Sequence, residues 1–287
     1  MLWLLFAALT AVCGSLRDLA SKRGLQDLDA YVVTWASRAF ALPVLLPALL
    51  VDELPELGDH FGLVLAAALG IQVVANLLYF RALQQSDLSL TVPIVSFTPL
   101  FLFATAPLIV GERLSSWDAL GMASIVSGSY ALSLSRRQQG VLAPFRALFR
   151  QRGPQLMLGV AFCWSLLSTL NKVGVRNSSP AFWAATTSVM LVAALSPIVL
   201  ARSRAPLAQL ARHLPIAIAT GLLQGLTVLF LMQALQLTLV AHVVAVKRTS
   251  ILISALLGHL LLAEPGLRER GTGAAIMVAG VAIVTLL

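Results

Sequence analysis

From one end to the other the chain alternates apolar runs of about twenty residues with short polar gaps. A helix of that length crosses a hydrocarbon core of about 30 Å. Ten runs are expected as membrane-spanning helices, here spans one to ten: 2–20, 31–50, 61–83, 90–110, 116–134, 154–172, 181–200, 213–235, 240–262 and 269–287. The longest connection, RRQQGVLAPFRALFRQRG (Arg136 to Gly153), divides the chain near its middle. Its VLAPFRALFR portion has the basic amphipathic pattern of a helix lying in the membrane interface. The opening MLWLLFAALTAVCG has no basic residue ahead of its apolar core, so it is expected as span one and not as a cleaved leader.

The pattern then repeats. Displacing residues 72–132 by 152 positions sets Gln72 on Gln224, Ala82-Leu83-Gln84 on Ala234-Leu235-Gln236, Glu112 on Glu264, Gly121 on Gly273 and Gly128 on Gly280. No gap is needed. Earlier in the chain a displacement of 150 sets Cys13 on Cys163, Ser15 on Ser165, Lys22 on Lys172, Gly24 on Gly174 and Pro47 on Pro197. The polar and glycine matches carry the argument, because leucines and alanines coincide by chance in any apolar sequence. The fold class expected is all-α integral membrane, ten transmembrane helices as two inverted five-helix repeats. Residues 1–135 form the first repeat, 136–153 a basic linker and 154–287 the second. Five is odd, so the second copy enters the membrane from the opposite side. Inverted repeats of this kind are a transporter arrangement, with substrate bound near the midplane.

Composition narrows the class. Hydrophobic residues make up 59% of the chain and charged residues 11%, whereas a soluble domain carries about 25% charged residues. The formal net charge of +8 does not imply a nucleic-acid partner, because the basic residues sit mostly in the gaps between runs. Sorted by side, fourteen Lys and Arg fall on one face of the membrane and three on the other, with Arg38, Lys247 and Arg248 inside spans. The basic excess belongs in the cytoplasm, which places both termini outside, in a bacterial cytoplasmic (inner) membrane. Cys13 and Cys163 lie in apolar runs and are expected as free thiols. His60, His213, His242 and His259 have no metal-ligand spacing, and no cofactor or metal is expected.

YFRALQQSDLSLTVPIVSFTPLFLFATAPLIVGERL, followed by a span with Gly121 and Gly128, resembles the core of an EamA domain. LMQALQLTLVAHVVAVKRTSILISALLGHLLLAE, followed by Gly273 and Gly280, resembles a second. Tandem EamA domains mark the drug/metabolite transporter superfamily, and the likeness covers nearly the whole chain. It implies ten helices, a central cavity lined by spans one to four and six to nine, peripheral spans five and ten, and secondary transport, often export of metabolites or amino acids. It also implies cytoplasmic termini, against the charge asymmetry, which we retain. Sugar-phosphate translocators of the superfamily carry a Lys-Arg pair in span nine that grips phosphate. Lys247-Arg248 resembles it, without the surrounding translocator pattern.

Several side chains are candidates for the work of such a carrier. Lys247 and Arg248 lie about 10 Å inside span nine. Either they face a cavity that takes anionic groups, or they snorkel to the headgroups. Ser250, Ser254 and Gly258 share the face of Lys247, which suits a cavity or close packing. Gln72, Asn76 and Tyr79 form a stripe on span three, with Gln224 and Thr227 on the matching face of span eight. Such groups bind substrate or one another across helices. Span six adds Trp164, Ser168 and Asn171, with Trp164 as cavity wall or interface anchor. Pro93 and Pro99, with Thr91 nearby, mark a hinge or a fixed kink in span four. Asp18 and His242 are the candidates for proton coupling, and Arg38 is read as positioning. Glu112 and Glu264 are read as structural, capping the next helix or pairing with a basic neighbour.

The partners expected are therefore the lipid bilayer, a small-molecule substrate, and protons or a counter-substrate, with the chain a monomer or homodimer. An enzyme would show clustered acid–base residues, and an ATP-driven pump a phosphate-binding glycine loop. Neither pattern occurs. A lipid flippase shares the apolar groove and basic patch and remains the alternative.

Overall fold

The computed structural model describes residues 1–24, 30–50, 54–85, 93–134, 143–203, 210–262 and 271–286. Every element among them is helical. In chain order they are α1 (Leu2–Gly24), α2 (Ala30–Ala39), α3 (Leu42–Ala48), α4 (Phe61–Gln85), α5 (Thr98–Thr105, continued as a π-helical turn over Ala106–Val110) and α6 (Ser116–Leu134). After these come α7 (Ala143–Arg150), α8 (Arg152–Arg176), α9 (Pro180–Arg202), α10 (Leu214–Leu237), α11 (Val240–Lys247), α12 (Ser250–Leu262) and α13 (Gly271–Leu286). Eight segments are long and apolar enough to cross a membrane, and α13 is a shorter apolar helix. The eight correspond to spans one to four and six to nine. α6 and α13 occupy the stretches expected for spans five and ten. The amphipathic segment of the linker is helical as α7, with Arg146, Phe149 and Arg150 exposed. Thr91 and Glu264 lie outside the described residues.

Three spans are interrupted. Span two breaks at Phe40-Ala41, between α2 and α3. Span four tightens at Ser96-Phe97, where Ser96 and Phe97 donate to Pro93 and Ile94, three residues back. Span nine tightens at Arg248-Thr249, where Thr249 donates to Val246 and Ile251 to Arg248. These are short 3₁₀ turns inside otherwise α-helical spans.

The chain divides into two compact units. Each draws on both halves of the sequence. The first comprises Met1–Leu65 and Gly174–Leu237. Here α1 packs along α10, with Phe6 stacked on Phe230 (6.1 Å between centroids) and Gly14 facing the Thr227 methyl. Gly225 of α10 lets the α2–α3 turn approach; a Cβ there would lie 2.9 Å from the Ala41 carbonyl oxygen. α9 starts at Ser179, whose hydroxyl accepts from the Phe182 amide while Pro180 opens the helix. Trp183 is fully buried and meets Phe61 edge-on at 5.7 Å.

The second unit comprises Ala66–Val173 and Thr238–Leu287. Its α6 and α13 run antiparallel, joined at glycines. A Cβ on Gly128 would meet the Gly273 carbonyl oxygen at 2.6 Å, and one on Gly280 the Gly121 carbonyl oxygen at 2.7 Å. The four glycines are the pairs related by the 152-residue displacement, so each copy contributes the same two positions to one close contact. Small residues of this kind are how helices approach when lipid supplies no hydrophobic drive. Many leucines remain exposed, among them Leu63, Leu200 and Leu260. In a bilayer those faces meet acyl chains. Hydroxyls are turned inward onto their own helices, as in Thr10 to the Phe6 carbonyl and Ser15 to that of Ala11.

Candidate functional site

Polar side chains gather in each unit. In the first, Arg17 of α1, Arg38 of α2 and Gln224 of α10 are the chief members. Arg17 holds Asp18 through Nε (3.0 Å) and Nη2 (2.5 Å), and its Nη1 donates to Gln224 Oε1 at 2.6 Å. Asp18 is half exposed and tied to Arg17. Arg38 sits in the last turn of α2, about 12 Å along span two, on a helix that packs against α10 as α1 does. Among the described residues its side chain has no hydrogen bond or ion pair. A mid-span basic residue costs about 2.5–3.5 kcal/mol on insertion scales, whereas a helix C-terminus returns about 0.3–1 kcal/mol. The α2 terminus therefore accounts for only part of the compensation that Arg38 needs. Thr227 turns its hydroxyl back to the Leu223 carbonyl (2.7 Å) and packs on Gly14, so it contributes a methyl surface.

In the second unit Gln72, Asn76 and Tyr79 lie half-buried along α4. Tyr79 stacks on Trp164 of α8 with centroids 6.0 Å apart. Both rings pack against the buried cluster of Ala82, Ile94, Met157 and Val160. The Gln72 and Asn76 side chains make no hydrogen bond among the described residues. Ser168 returns its hydroxyl to the Trp164 carbonyl (2.8 Å), and Asn171 is half-buried on the same helix.

Lys247 ends α11 and is exposed. Arg248 follows, and its Nη2 donates to the Val95 carbonyl at 3.2 Å. That carbonyl is available because Pro99, four residues on, has no N–H to give it. Thr98 Oγ1 donates to the same oxygen at 2.8 Å. The two candidate hinge prolines thus flank a turn in span four to which the Arg248 side chain of span nine is fastened. Ser250 opens α12, and the Ser254 hydroxyl is buried without a partner.

A second polar group in this unit surrounds the start of α11. Leu239, its N-cap, makes no side-chain cap. Glu112 supplies one from beyond the end of span four, both carboxylate oxygens accepting from the Val240 amide (3.2 and 2.9 Å). Lys172 of α8 lies 3.7 Å from Glu112 and donates to the Thr238 carbonyl; both charged side chains are almost wholly buried. Glu112 is thus structural as expected, but it caps span nine and not the helix that follows it. One residue pair further, His242 Nε2 meets Asp118 Oδ1 at 2.8 Å, and His242 Nδ1 meets Thr238 Oγ1 at 3.3 Å. Asp118 is itself fixed by a reciprocal cap: its Oδ2 accepts from the Ser115 amide (2.7 Å), and the Ser115 hydroxyl accepts from the Asp118 amide (3.1 Å). Lys172, Asp118 and Thr238 were not singled out from the sequence. The Ser115-x-x-Asp118 spacing is a legible capping box, and Lys172 matches Lys22 in the repeat, but neither pattern reveals that span nine begins beside them.

A family model for the EamA-like transporter family matches residues 1–134 and again 151–286. The chain belongs to the EamA-like transporter family. The two EamA segments lie in tandem and take in nearly all of it. An uncharacterized transporter of Archaeoglobus fulgidus is 28% identical over 118 residues, which cover 40% of this chain and 42% of that protein. A solved crystal structure aligns over 99% of this chain and 96% of its own with a TM-score of 0.79 at 17% identity, a shared fold. This EamA-like protein is therefore a multi-pass membrane transporter with an all-helical, two-repeat architecture.

Proposed function

We propose that this EamA-like transporter is a secondary carrier that exports a small polar or anionic metabolite, amino-acid-like or bearing a carboxylate or phosphate, by alternating access. The observation that carries the reading is the pair of open amides, Gln72 and Asn76, beside the stacked Tyr79 and Trp164. Both amides are half-buried, and span three keeps them on one face beside two stacked aromatic rings suited to the apolar part of a solute. Hydrogen bonds to the solute's polar groups would account for polar side chains on an otherwise apolar span. Lys247 and Arg248 provide positive charge in the same unit.

Protons are the coupling ion we favour, through His242. Its imidazole faces Asp118, with Thr238 on the other ring nitrogen and the Glu112–Lys172 pair close by. Asp18, the other candidate, is engaged by Arg17. The charge asymmetry supports a bacterial cytoplasmic membrane with both termini outside.

The test is counterflow in proteoliposomes, with a panel of amino acids, dicarboxylates and phosphate monoesters, with and without a pH gradient. Saturable flux of one class, reduced at least tenfold in Gln72→Leu and Asn76→Leu, supports the carrier. Phospholipid scrambling without solute flux replaces it with a flippase.

A further inference from the structure

Arg17, Arg38 and Gln224 form a polar group that the reading above leaves without a role. Three helices of the first unit bring them together: α1, α2 and α10. The glycine-mediated approach of α10 to the α2–α3 turn sets the end of α2 beside the Gln224 segment, since Gly221 and Gly225 flank Gln224 and meet Phe40 and Ala41. These contacts fix the backbone that carries Arg38.

Among the described residues the charges do not balance. Arg17 and Arg38 supply two positive charges and Asp18 one negative charge, which is already bound to Arg17 at 2.5 Å. Gln224 presents its carbonyl oxygen to Arg17, which leaves its amide nitrogen as an unmatched donor among the described residues. Arg38 offers all its guanidinium donors, and its side chain has no acceptor among the described residues. Two guanidinium groups on helices that both pack against α10, with donors in excess and acceptors spent among the described residues, call for an anion. The planar guanidinium fork matches the two oxygens of a carboxylate or phosphate.

We propose that Arg38, assisted by Arg17 and the Gln224 amide, seats the oxyanion group of the transported solute, a carboxylate or a phosphate monoester. This rests on the carrier reading and names its substrate class. The seat belongs to the first unit, whereas Lys247 and Arg248 belong to the second. Its three residues come from different elements, so no single stretch of sequence contains it. Arg17 is the fixed member, locked by Asp18 and Gln224. Arg38 is the member whose donors are open to the ligand.

The experiment is calorimetric titration of the purified, full-length protein in phosphatidylcholine nanodiscs with inorganic phosphate and with succinate. Wild type, Arg38→Gln and Arg38→Lys are compared, each first shown to be monodisperse and to unfold at the wild-type temperature without ligand. The expected result is saturable binding by wild type, weakened at least tenfold in Arg38→Gln. Arg38→Lys keeps the charge but not the fork and should lie between. If Arg38→Gln does not fold, Arg38→Lys decides, and unchanged affinity in it overturns the seat. So does equal binding by all three, or no binding of either probe to wild type. Repeating the titration with phosphatidylglycerol in the disc separates the sources of the oxyanion: loss of phosphate binding assigns the seat to a lipid headgroup, and no change assigns it to a free solute. Flux tells the two proposals apart. Solute counterflow that survives in Arg38→Gln keeps the carrier and removes the seat. Arg38-dependent binding with no flux of any solute keeps the seat and removes the carrier.

Discussion

In span four the turn at Ser96-Phe97 lies between Pro93 and Pro99, and the missing N–H of Pro99 frees the Val95 carbonyl. In span nine the turn at Arg248-Thr249 stands 152 residues later, at the equivalent position, with neither proline nor glycine near it. There the interruption is held by side chains. Thr249 Oγ1 donates to the Val246 carbonyl at 2.7 Å, and Arg248 reaches across to Val95. One copy writes the turn into its covalent backbone. The other holds it by contacts that can be exchanged, and one of those contacts is to the first copy's freed carbonyl. The difference teaches that a duplicated motif can keep its geometry while its cause migrates from local chemistry to a tertiary bond. It also leaves the turn of span nine dependent on two side chains, Arg248 and Thr249.

The start of span nine gives the largest test of its dependence on span four. Glu112→Ala removes the cap on Val240 and leaves Lys172 buried without its carboxylate. We expect a loss of about 3–5 kcal/mol, the usual cost of breaking a buried pair, read as a fall in unfolding temperature and folded yield. Glu112→Ala with Lys172→Met should recover most of it; a double variant as unstable as the single one would show that the buried charge is not the cause. Next comes Arg248→Met, which leaves the Val95 carbonyl to Thr98 alone. A hydrogen bond to a charged group is worth about 1.5–3 kcal/mol, so a smaller drop of that order is expected, together with faster hydrogen exchange over α11 and α12. No change in exchange there would sever the proposed link between the two turns. Pro99→Ala restores an N–H able to compete for Val95, with a stability change of about 1 kcal/mol or less in either direction. Its effect should not add to that of Arg248→Met, since both act on one carbonyl oxygen; strict additivity in the double-variant cycle counts against a shared acceptor. His242→Gln should leave stability at neutral pH nearly unchanged. Gln can keep a hydrogen bond to Asp118 but cannot carry a proton across the cycle. The variant should therefore flatten any dependence of transport on a pH gradient, and an unaltered dependence would remove His242 from the coupling.

Much of the architecture was legible along the chain. Apolar run length set the spans to within a few residues, because lipid forces every backbone group to be satisfied inside a helix. The prolines located the turn in span four before any contact was known. The turn in span nine was not legible, because VAVKRTSILIS contains no residue that breaks a helix; a guanidinium bond to a carbonyl 153 residues away does it. Lys172 ends the apolar run of span six, and its burial against Glu112 was not legible from the run itself. The stripe of Gln72, Asn76 and Tyr79 was visible as helical spacing. By contrast, Thr227 and Ser168 looked equally available and are occupied by their own helices, a choice of rotamer that sequence does not encode. Arg38 was read as a positioning residue. Only the absence of a side-chain acceptor for it among the described residues turned it into a candidate for binding.

The tightened turns also set a length. A residue in a 3₁₀ turn rises about 2.0 Å, against 1.5 Å in an α-helix. Converting three residues from one form to the other therefore changes a span by roughly 1.5 Å. Spans four and nine run in opposite senses in the inverted repeat, so one that shortens while the other extends would carry the segments on either side past one another like paired pistons. Pro99 builds the length of one into its backbone. In the other the length rests on the side chains of Arg248 and Thr249.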